Sequence, residues 1–343
     1  MQYRTLGNTG LVVSRLGFGA LTFAQHGNRT LDSVYKVDAD LAKTLVARAL
    51  DAGVNFFDTA DVYADGESET LLGAALKPHR DRVVITTKVG NRGVDRDLLR
   101  TGLSRRHILW SIDRSLQRLG TDWVDCYVAH REDPYTPLEE TLDAFDAVVR
   151  AGKARYIGFS NWSAWTVAAA MEIQKARGLA PFTHGQMYYS LLGRDVERDV
   201  LPMMRRYGLG MTVWSPLAFG FLSGAYTRDD LSRPDNRFSN FDMLQFDRDQ
   251  GFALLDVMRR VAGARGVTVP QVAIAWLLSR RDVTGVLLGA TKLHQLDDNL
   301  GAAGVQLADT DLAELDAASA ITPIYPSSDW MAPDRRVARA LGT

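Results

Sequence analysis

The sequence predicts an α/β fold, a closed (β/α)8 TIM barrel with an N-terminal β-hairpin and long loops at its C-terminal face. Three observations lead there. Short, nearly all-apolar runs alternate with longer amphipathic stretches, the pattern of a parallel sheet covered on both faces. Eight such β-rich runs are present, enough to close a barrel. No G-x-G-x-x-G follows a strand-like run to open a helix, which weighs against a doubly wound dinucleotide-binding sheet.

The elements follow in order. Residues 3–6 and 11–13, joined by Gly7-Asn8-Thr9-Gly10, read as a β-hairpin that could floor the barrel. Strand-like runs come at 15–18, 54–57, 83–87, 123–129, 156–159, 182–186, 210–214 and 285–288. Helical patterns lie at 41–52, 67–76, 104–119, 138–151, 164–177, 196–207, 269–279 and 293–300. Segments 25–38 and 217–250 are too long and polar for simple connections, and such loops in compact domains are usually functional or mobile. The expectation is one barrel domain over 1–343, with the hairpin in 1–14, a long loop at 217–250 and a C-terminal tail at 321–343.

Composition narrows the partners. Forty basic against 41 acidic residues give a net charge of −1, which offers no electrostatic draw toward nucleic acid or an anionic membrane. The single cysteine, Cys126, cannot form an internal disulfide, so a reducing compartment is expected. No apolar run approaches the ~20 residues that span a bilayer. Met1-Gln2-Tyr3-Arg4 lacks a charged-then-apolar signal pattern, and a cytoplasmic location follows as the expectation.

Barrel active sites sit at the C-terminal ends of the strands. Three consecutive runs deliver Asp58, Lys88 and His130 there, and Tyr63 follows on the adjoining loop. Singly, each has a plain structural explanation: a turn residue, a snorkelling lysine, a hydrogen-bonded histidine, a packed ring. Together at one rim they are hard to explain as packing. The set supports proton transfer. A phenol at its ordinary pKa of ~10 is a poor acid near neutrality, and a neighbouring ammonium would favour phenolate. Asp58 could hold the lysine, and His130 could donate to a carbonyl oxygen. His130 has no Cys or His at ligand spacing, so no metal is invoked.

These residues bring the resemblance into view. Gly17-Phe18-Gly19-Ala20, Phe57-Asp58-Thr59-Ala60-Asp61-Val62-Tyr63, Thr87-Lys88, Leu119-Gly120-Thr121-Asp122 and Val128-Ala129-His130 stand in a specific order. Gly152-Lys153, Ile157-Gly158-Phe159-Ser160-Asn161, Trp214-Ser215-Pro216-Leu217, Gly289-Ala290-Thr291-Lys292 and Asp298-Asn299-Leu300 continue it. The chain resembles the aldo-keto reductases over nearly its whole length, in the bacterial branch that also resembles the β-subunits of voltage-gated potassium channels.

The resemblance implies a barrel that binds extended NADP(H), with NAD possible, and moves a hydride between nicotinamide and an aldehyde, ketone or alcohol. It places the catalytic tetrad on Asp58, Tyr63, Lys88 and His130, with Tyr63 as general acid in reduction and base in oxidation. It assigns Gly19, Ala20, Leu21 and Asp58 to the cofactor site. Ser160, Asn161 and Gln186 match residues that hold the carboxamide, whose oxygen and NH2 such groups can pair. Trp214 falls where the family stacks an aromatic ring. Ser215, Pro216, Leu217, Gly220, Leu222 and Gly224 would line the pyrophosphate, where small residues admit close backbone approach. Gly289, Thr291, Lys292, Gln295, Asp298 and Asn299 would surround the adenosine and its 2′-phosphate, at a helix N-terminus suited to phosphate.

The sequence also departs from the family. Many relatives carry an arginine at the Thr291 or Gln295 position; here Lys292 is the cation. Asp298 replaces the more usual glutamate, and Ala225 stands where some relatives have a pyrophosphate-contacting lysine. Arg237 in the long loop either compensates or is solvated.

Loops set substrate choice in this fold. Phe23, Tyr35, Trp162 and Trp330 form an apolar pocket mouth or pack beneath loops, and Arg92 and Arg131 leave an anionic substrate open. The expected partner is a small carbonyl or alcohol, with no nucleic acid or membrane. A competing reading is a nicotinamide-binding redox-sensing module with low turnover, like the channel β-subunits. Another is a barrel lyase or isomerase, which would not bind nicotinamide.

Overall fold

The computed structural model describes residues 1–25, 34, 36–91, 97–231, 246–325 and 335–341. It opens with an antiparallel ribbon, β1 (Tyr3–Thr5) and β2 (Val12–Ser14), in which Tyr3 faces Ser14. Eight parallel strands follow: β3 (Leu16–Gly19), β4 (Phe56–Asp58), β5 (Val84–Val89), β6 (Val124–Ala129), β7 (Ala154–Ser160), β8 (Phe182–Tyr188), β9 (Gly210–Trp214) and β10 (Val283–Leu288). They close in the order β10-β3-β4-β5-β6-β7-β8-β9, so every strand pairs on both edges. The (β/α)8 barrel expected from the apolar runs is the fold observed.

Helices α1 (Ala39–Asp51), α2 (Glu67–Leu76), α3 (Arg105–Leu119), α4 (Leu138–Arg150), α5 (Ala164–Arg177), α6 (Val200–Tyr207) and the short α7 (Arg228–Leu231) come first. Then follow α8 (Arg248–Arg265), α9 (Val269–Ser279), α10 (Leu293–Gly301), α11 (Asp309–Ala318) and α12 (Arg335–Leu341). The starts of several are written in their sequences. Ser104 accepts from His107 N and opens α3; Thr268 and Gln271 form a reciprocal capping box on α9.

Among the described residues four helices, α7, α8, α11 and α12, lie outside the expected helical patterns. The expected loop 217–250 carries a 3-10 segment at Ala218–Ser223, then α7, and the first residues of α8. The buried stripe of α8 (Leu254, Leu255, Met258, Val261, Ala262) has helical spacing and is legible once sought. Helix α11 buries only Leu315, so its sequence gives no apolar stripe. No single helix among the described residues is long and apolar enough to cross a membrane.

Strand alternation decides what reaches the barrel interior. Phe56, Val84, Cys126 and Leu287 form a lower interior cluster that Leu6 and Val13 of the ribbon close from below. Asp58 on β4 and Lys88 on β5 share the parity of Phe56 and Val84, so they point inward, Asp58 one layer above Phe56 and Lys88 one layer above Thr86, which is level with Asp58. Phe57 and Thr87 point out toward the helices.

His184 occupies the interior of β8. Its Nδ1 lies 3.0 Å from Thr183 Oγ1, while Nε2 is buried without a partner among the described residues. Burial pulls the imidazole down to about 4, with Lys88 adding to the effect. As pH falls from 6.5 toward 4, the unfolded chain binds a proton that the fold refuses, so stability falls with pH in that window. The contribution is about 3 kcal/mol by the bottom of it. Urea unfolding between about pH 7 and about pH 4 should show this loss, and His184→Gln should flatten it. Parallel curves for the two proteins would place the acid sensitivity elsewhere.

Candidate active site

The strand ends bring three of the four tetrad side chains into one hydrogen-bonded set. Lys88 Nζ donates to Asp58 Oδ2 at 2.6 Å and to the Thr59 carbonyl at 2.8 Å, and it reaches Tyr63 Oη at 3.5 Å. Gln186 Nε2 donates to the other Asp58 oxygen at 2.7 Å, tying β8 to β4 across the barrel. Lys88 is fully buried and Asp58 nearly so. Burial pushes the Asp58 carboxyl up and the Lys88 ammonium down, while their mutual contact works the other way in both. Asp61 and Glu69 add to Asp58 in favouring the ammonium.

His130 is the first residue past β6, and its N–H bonds to the Val89 carbonyl. Its ring meets that of Tyr63 edge to face at 5.6 Å. Burial, with the positive charges of Lys88 and Arg131, holds the imidazole well below its ordinary range. It is therefore neutral at physiological pH, with one ring N–H to give. Its Nδ1 is buried and bonds to no described protein atom. A neutral donor beside a phenol that is backed by an ammonium can polarise a carbonyl oxygen and protonate it.

Tyr63 depends on an unusual turn. Ala64 (φ 47, ψ 44), Asp65 (φ 52, ψ 33) and Gly66 (φ 94) are three successive left-handed residues. Such a conformation costs a non-glycine residue roughly 1–2 kcal/mol, and strain of this kind clusters at functional sites. The turn reverses the chain directly after Tyr63, so that α2 starts behind it and the phenol stays at the mouth.

The next strands supply amide and hydroxyl groups. Ser160 Oγ donates to the Gln186 carbonyl at 2.7 Å. Asn161, left-handed at φ 58, donates to the His130 carbonyl at 3.1 Å and to Ser160 Oγ at 2.9 Å. Trp214 Nε1 donates to Asn161 Oδ1 at 3.0 Å, and its ring lies against Tyr188 at 5.2 Å. Four strand ends thus place His130, Ser160, Asn161, Gln186 and Trp214 in one connected arc beside Lys88. These groups fit a planar carboxamide-bearing ring: acceptors and donors for the amide, and a half-buried indole for the face.

After Trp214 the backbone is left-handed at Ser215, Ala218, Phe219, Gly220 and Gly224. Ser215 Oγ accepts from Phe219 N at 2.9 Å, which fixes the kink. Such kinked backbone forms anion-accepting concavities. Pro216 and Leu222 are buried and Leu217 half-buried, so these residues offer the loop backbone rather than side chains. Gly19 and Leu21 are half-buried and Ala20 is buried; Ala20 N bonds to the Asp58 carbonyl.

In the last unit, Gly289 and Lys292 are exposed, and Lys292 is the N-cap of α10. Gln295 Oε1 accepts from Thr291 N at 3.0 Å and Thr291 Oγ1 at 3.1 Å. Asp298 accepts from Thr268 Oγ1 and Gln271 Nε2 at 2.9–3.0 Å, pinning α10 to α9, and Asn299 is buried beside it. Asp298 therefore already serves packing.

For Phe23 and Trp162 the structure favours packing over a pocket mouth. Phe23 is fully buried against Phe18 at 5.7 Å, and Trp162 is 3% exposed and packs on Phe159 and Phe182. Both rings are core, because the chain turns inward after β3 and β7. Tyr35, Arg92, Arg237 and Trp330 lie outside the described residues. Among the described residues no group of three His, Cys, Asp or Glu side chains could hold a metal ion.

Sequence reasoning missed a second layer behind the barrel wall. Thr87 Oγ1 donates to Glu69 Oε1 at 2.5 Å, Arg118 Nε pairs with Glu69 Oε2 at 2.6 Å, and Ser111 donates to Asp61 at 2.7 Å. Fully buried Glu69 in the first turn of α2 was the available signal.

Comparison with known proteins agrees with this geometry. A model of the Aldo/keto reductase family matches residues 15–320. A probable voltage-gated potassium channel subunit beta of Oryza sativa subsp. japonica is 39% identical over 316 residues, covering 89% of this chain and 92% of the relative. A putative subunit of the same name from Schizosaccharomyces pombe is 38% identical, covering 88% and 87%. A probable one from Arabidopsis thaliana is 38% identical, covering 89% and 92%. With a family match across most of its length and the barrel to go with it, this chain belongs to the aldo/keto reductase family.

Proposed function

We propose that the chain is an NADP(H)-dependent oxidoreductase that interconverts aldehydes or ketones with alcohols. The observation that carries this reading is the buried ammonium of Lys88 spanning Asp58 at 2.6 Å and the Tyr63 hydroxyl at 3.5 Å at the mouth of the barrel. Bound nicotinamide would supply or accept the hydride. Ser160, Asn161 and Gln186 would hold its carboxamide, Trp214 its face, the 215–224 backbone its pyrophosphate, and Lys292 with the α10 N-terminus its 2′-phosphate.

The chain's own part is the proton. In reduction Tyr63 Oη protonates the carbonyl oxygen, and the phenolate left behind faces the Lys88 ammonium rather than water. Asp58 and the Thr59 carbonyl keep Nζ aimed at Oη. Neutral His130 donates to the same carbonyl oxygen and so fixes its direction. In oxidation the phenolate takes the alcohol proton. A second reading has one support, the similarity to proteins named as potassium channel β-subunits: a nicotinamide-binding module that reports redox state to a partner with little turnover.

A panel of aldehydes, ketones and alcohols with NADPH and NADP, followed by nicotinamide absorbance, separates the two. Turnover supports the enzyme; tight binding with negligible turnover across the panel supports sensing. Tyr63→Phe should lower kcat for carbonyl reduction by about 10²–10⁴ while NADPH binding, read by fluorescence titration, stays within about twofold. Parallel loss of both would contradict the acid role. Lys292→Ala should weaken NADPH by about tenfold, the worth of a charge-assisted contact, and leave NADH nearly unchanged. An unchanged ratio of the two dissociation constants would show that another group reads the phosphate.

A further inference from the structure

Behind the wall that carries Lys88 lies a buried polar layer that the proposed chemistry does not use. Asp61 sits two residues before Tyr63, and its N–H bonds to the Lys88 carbonyl at 3.2 Å, so its backbone is fastened to the strand that carries the ammonium. Its Oδ2 accepts from Ser111 of α3 at 2.7 Å. Its Oδ1 is buried and bonds to no side chain or backbone among the described residues. Glu69 of α2, also buried, is held by Thr87, the neighbour of Lys88, and by Arg118 of α3. Arg118 reaches this place because Gly66 has no side chain: a Cβ there would stand 2.5 Å from Arg118 Cδ.

A buried carboxylate with one side-chain hydrogen bond and one bare oxygen costs more than packing α2 on α3 needs. An amide side chain would accept from Ser111 without burying a charge. We propose that Asp61 is a positioning residue for proton transfer, a buried charge behind the barrel wall that holds the proton on the Tyr63–Lys88 pair. This rests on the hydride-transfer reading above. The groups that face Asp61 are Glu69 from α2, Ser111 and Arg118 from α3, Lys88 from β5, Tyr127 from β6 and the Val62 backbone on its own loop; Lys88, which Asp61 faces, also reaches Tyr63 Oη at 3.5 Å. Burial, then Glu69, pushes the Asp61 carboxyl up to about 7, against the opposing pull of Ser111, Arg118 and the Val62 N–H. Below that pH Asp61 is neutral and Lys88 acts on the phenol without it. Above it Asp61 is charged, and its field opposes loss of the phenol proton. The acid form of Tyr63 therefore persists to higher pH than the ammonium alone would permit.

Asp61→Asn removes the charge and keeps a partner for Ser111; Asp61→Ser replaces it if the amide variant does not fold. Lys88 is still held by Asp58, so the first proton the pair releases is the phenol's. The alkaline limb of the pH profile for carbonyl reduction should move down by about half a pH unit or more. The same shift should appear, without substrate or cofactor, in the tyrosinate absorbance of Tyr63, taken as the difference between each protein and its Tyr63→Phe partner. Ser111→Ala leaves the charge in place and should leave both alkaline transitions where they are. An unmoved limb in Asp61→Asn, with any loss of rate spread evenly over pH, would overturn the proposal, as would an equal shift in Ser111→Ala. If the wild type reduces no carbonyl, the enzyme reading fails, and the tyrosinate titration still decides the role of Asp61.

Discussion

The contact between Lys88 and Asp58 is the constraint on which the site depends. Both groups are withdrawn from water, where desolvating an unpaired charge costs several kcal/mol, so neither can be present without the other. Each also needs further bonds to fill its remaining valences. Thr59 and Gln186 supply them, and these demands fix the relative heights of β4, β5 and β8. A one-residue slip of any of these strands would turn its polar group into the helix layer. The polar interior and the register are therefore one requirement seen from two sides. The apolar plug below, Phe56, Val84, Cys126 and Leu287, fills the barrel up to the height at which the charges begin.

The fold was legible because its signals are periodic. Near-continuous apolar runs such as Val84–Val89, with every residue buried, leave little alternative to a parallel sheet covered on both faces. Asp58, Lys88 and His130 could be found from sequence because the barrel carries strand ends to one face, so position along the chain converts directly into position in space. Ala64 and Asp65 were not legible: neither residue type announces a left-handed turn, and only the packing of α2 against α3 enforces it. Phe23 and Trp162 stayed between two readings for a related reason. An aromatic residue after a strand is equally suited to a pocket mouth and to core, and burial is settled by how the loop folds back. The network of Asp61, Glu69, Ser111 and Arg118 joins four separated positions through helix packing, a relation that no local pattern encodes.

Backbone strain is distributed as the functional reading requires. Among the described residues the positive-φ positions that are not glycine are Ala64, Asp65, Asn161, Ser215, Ala218 and Phe219. All follow β4, β7 or β9 at the C-terminal face; the ribbon and the strand starts at the opposite end have none. Strain persists only where its surroundings over-determine it. Here the surroundings are identifiable: Gly66 and the Arg118 stem behind Tyr63, the Trp214 indole on Asn161, and Ser215 Oγ on Phe219 N. Each strained residue sits beside a side chain that the proposed chemistry uses.

The same geometry bears on enzyme against sensor. A module that only registered bound nicotinamide would need the carboxamide arc and the phosphate positions, but it would have no use for a phenol. Tyr63 is costly to present, since two non-glycine residues must turn left-handed to do so. Lys88 is costly to bury. A chain that retains both, with a neutral histidine edge to face with the phenol, retains the parts that the proposed chemistry uses to move a proton. The proposed binding arc and the proposed proton path nevertheless meet at one contact, since Asp58 holds Lys88 and Gln186, a member of the arc, holds Asp58. On the proposed reading, a ring held in the arc would bear on the Gln186–Asp58 bond behind Lys88, so that binding and proton transfer would act through one hydrogen-bonded chain.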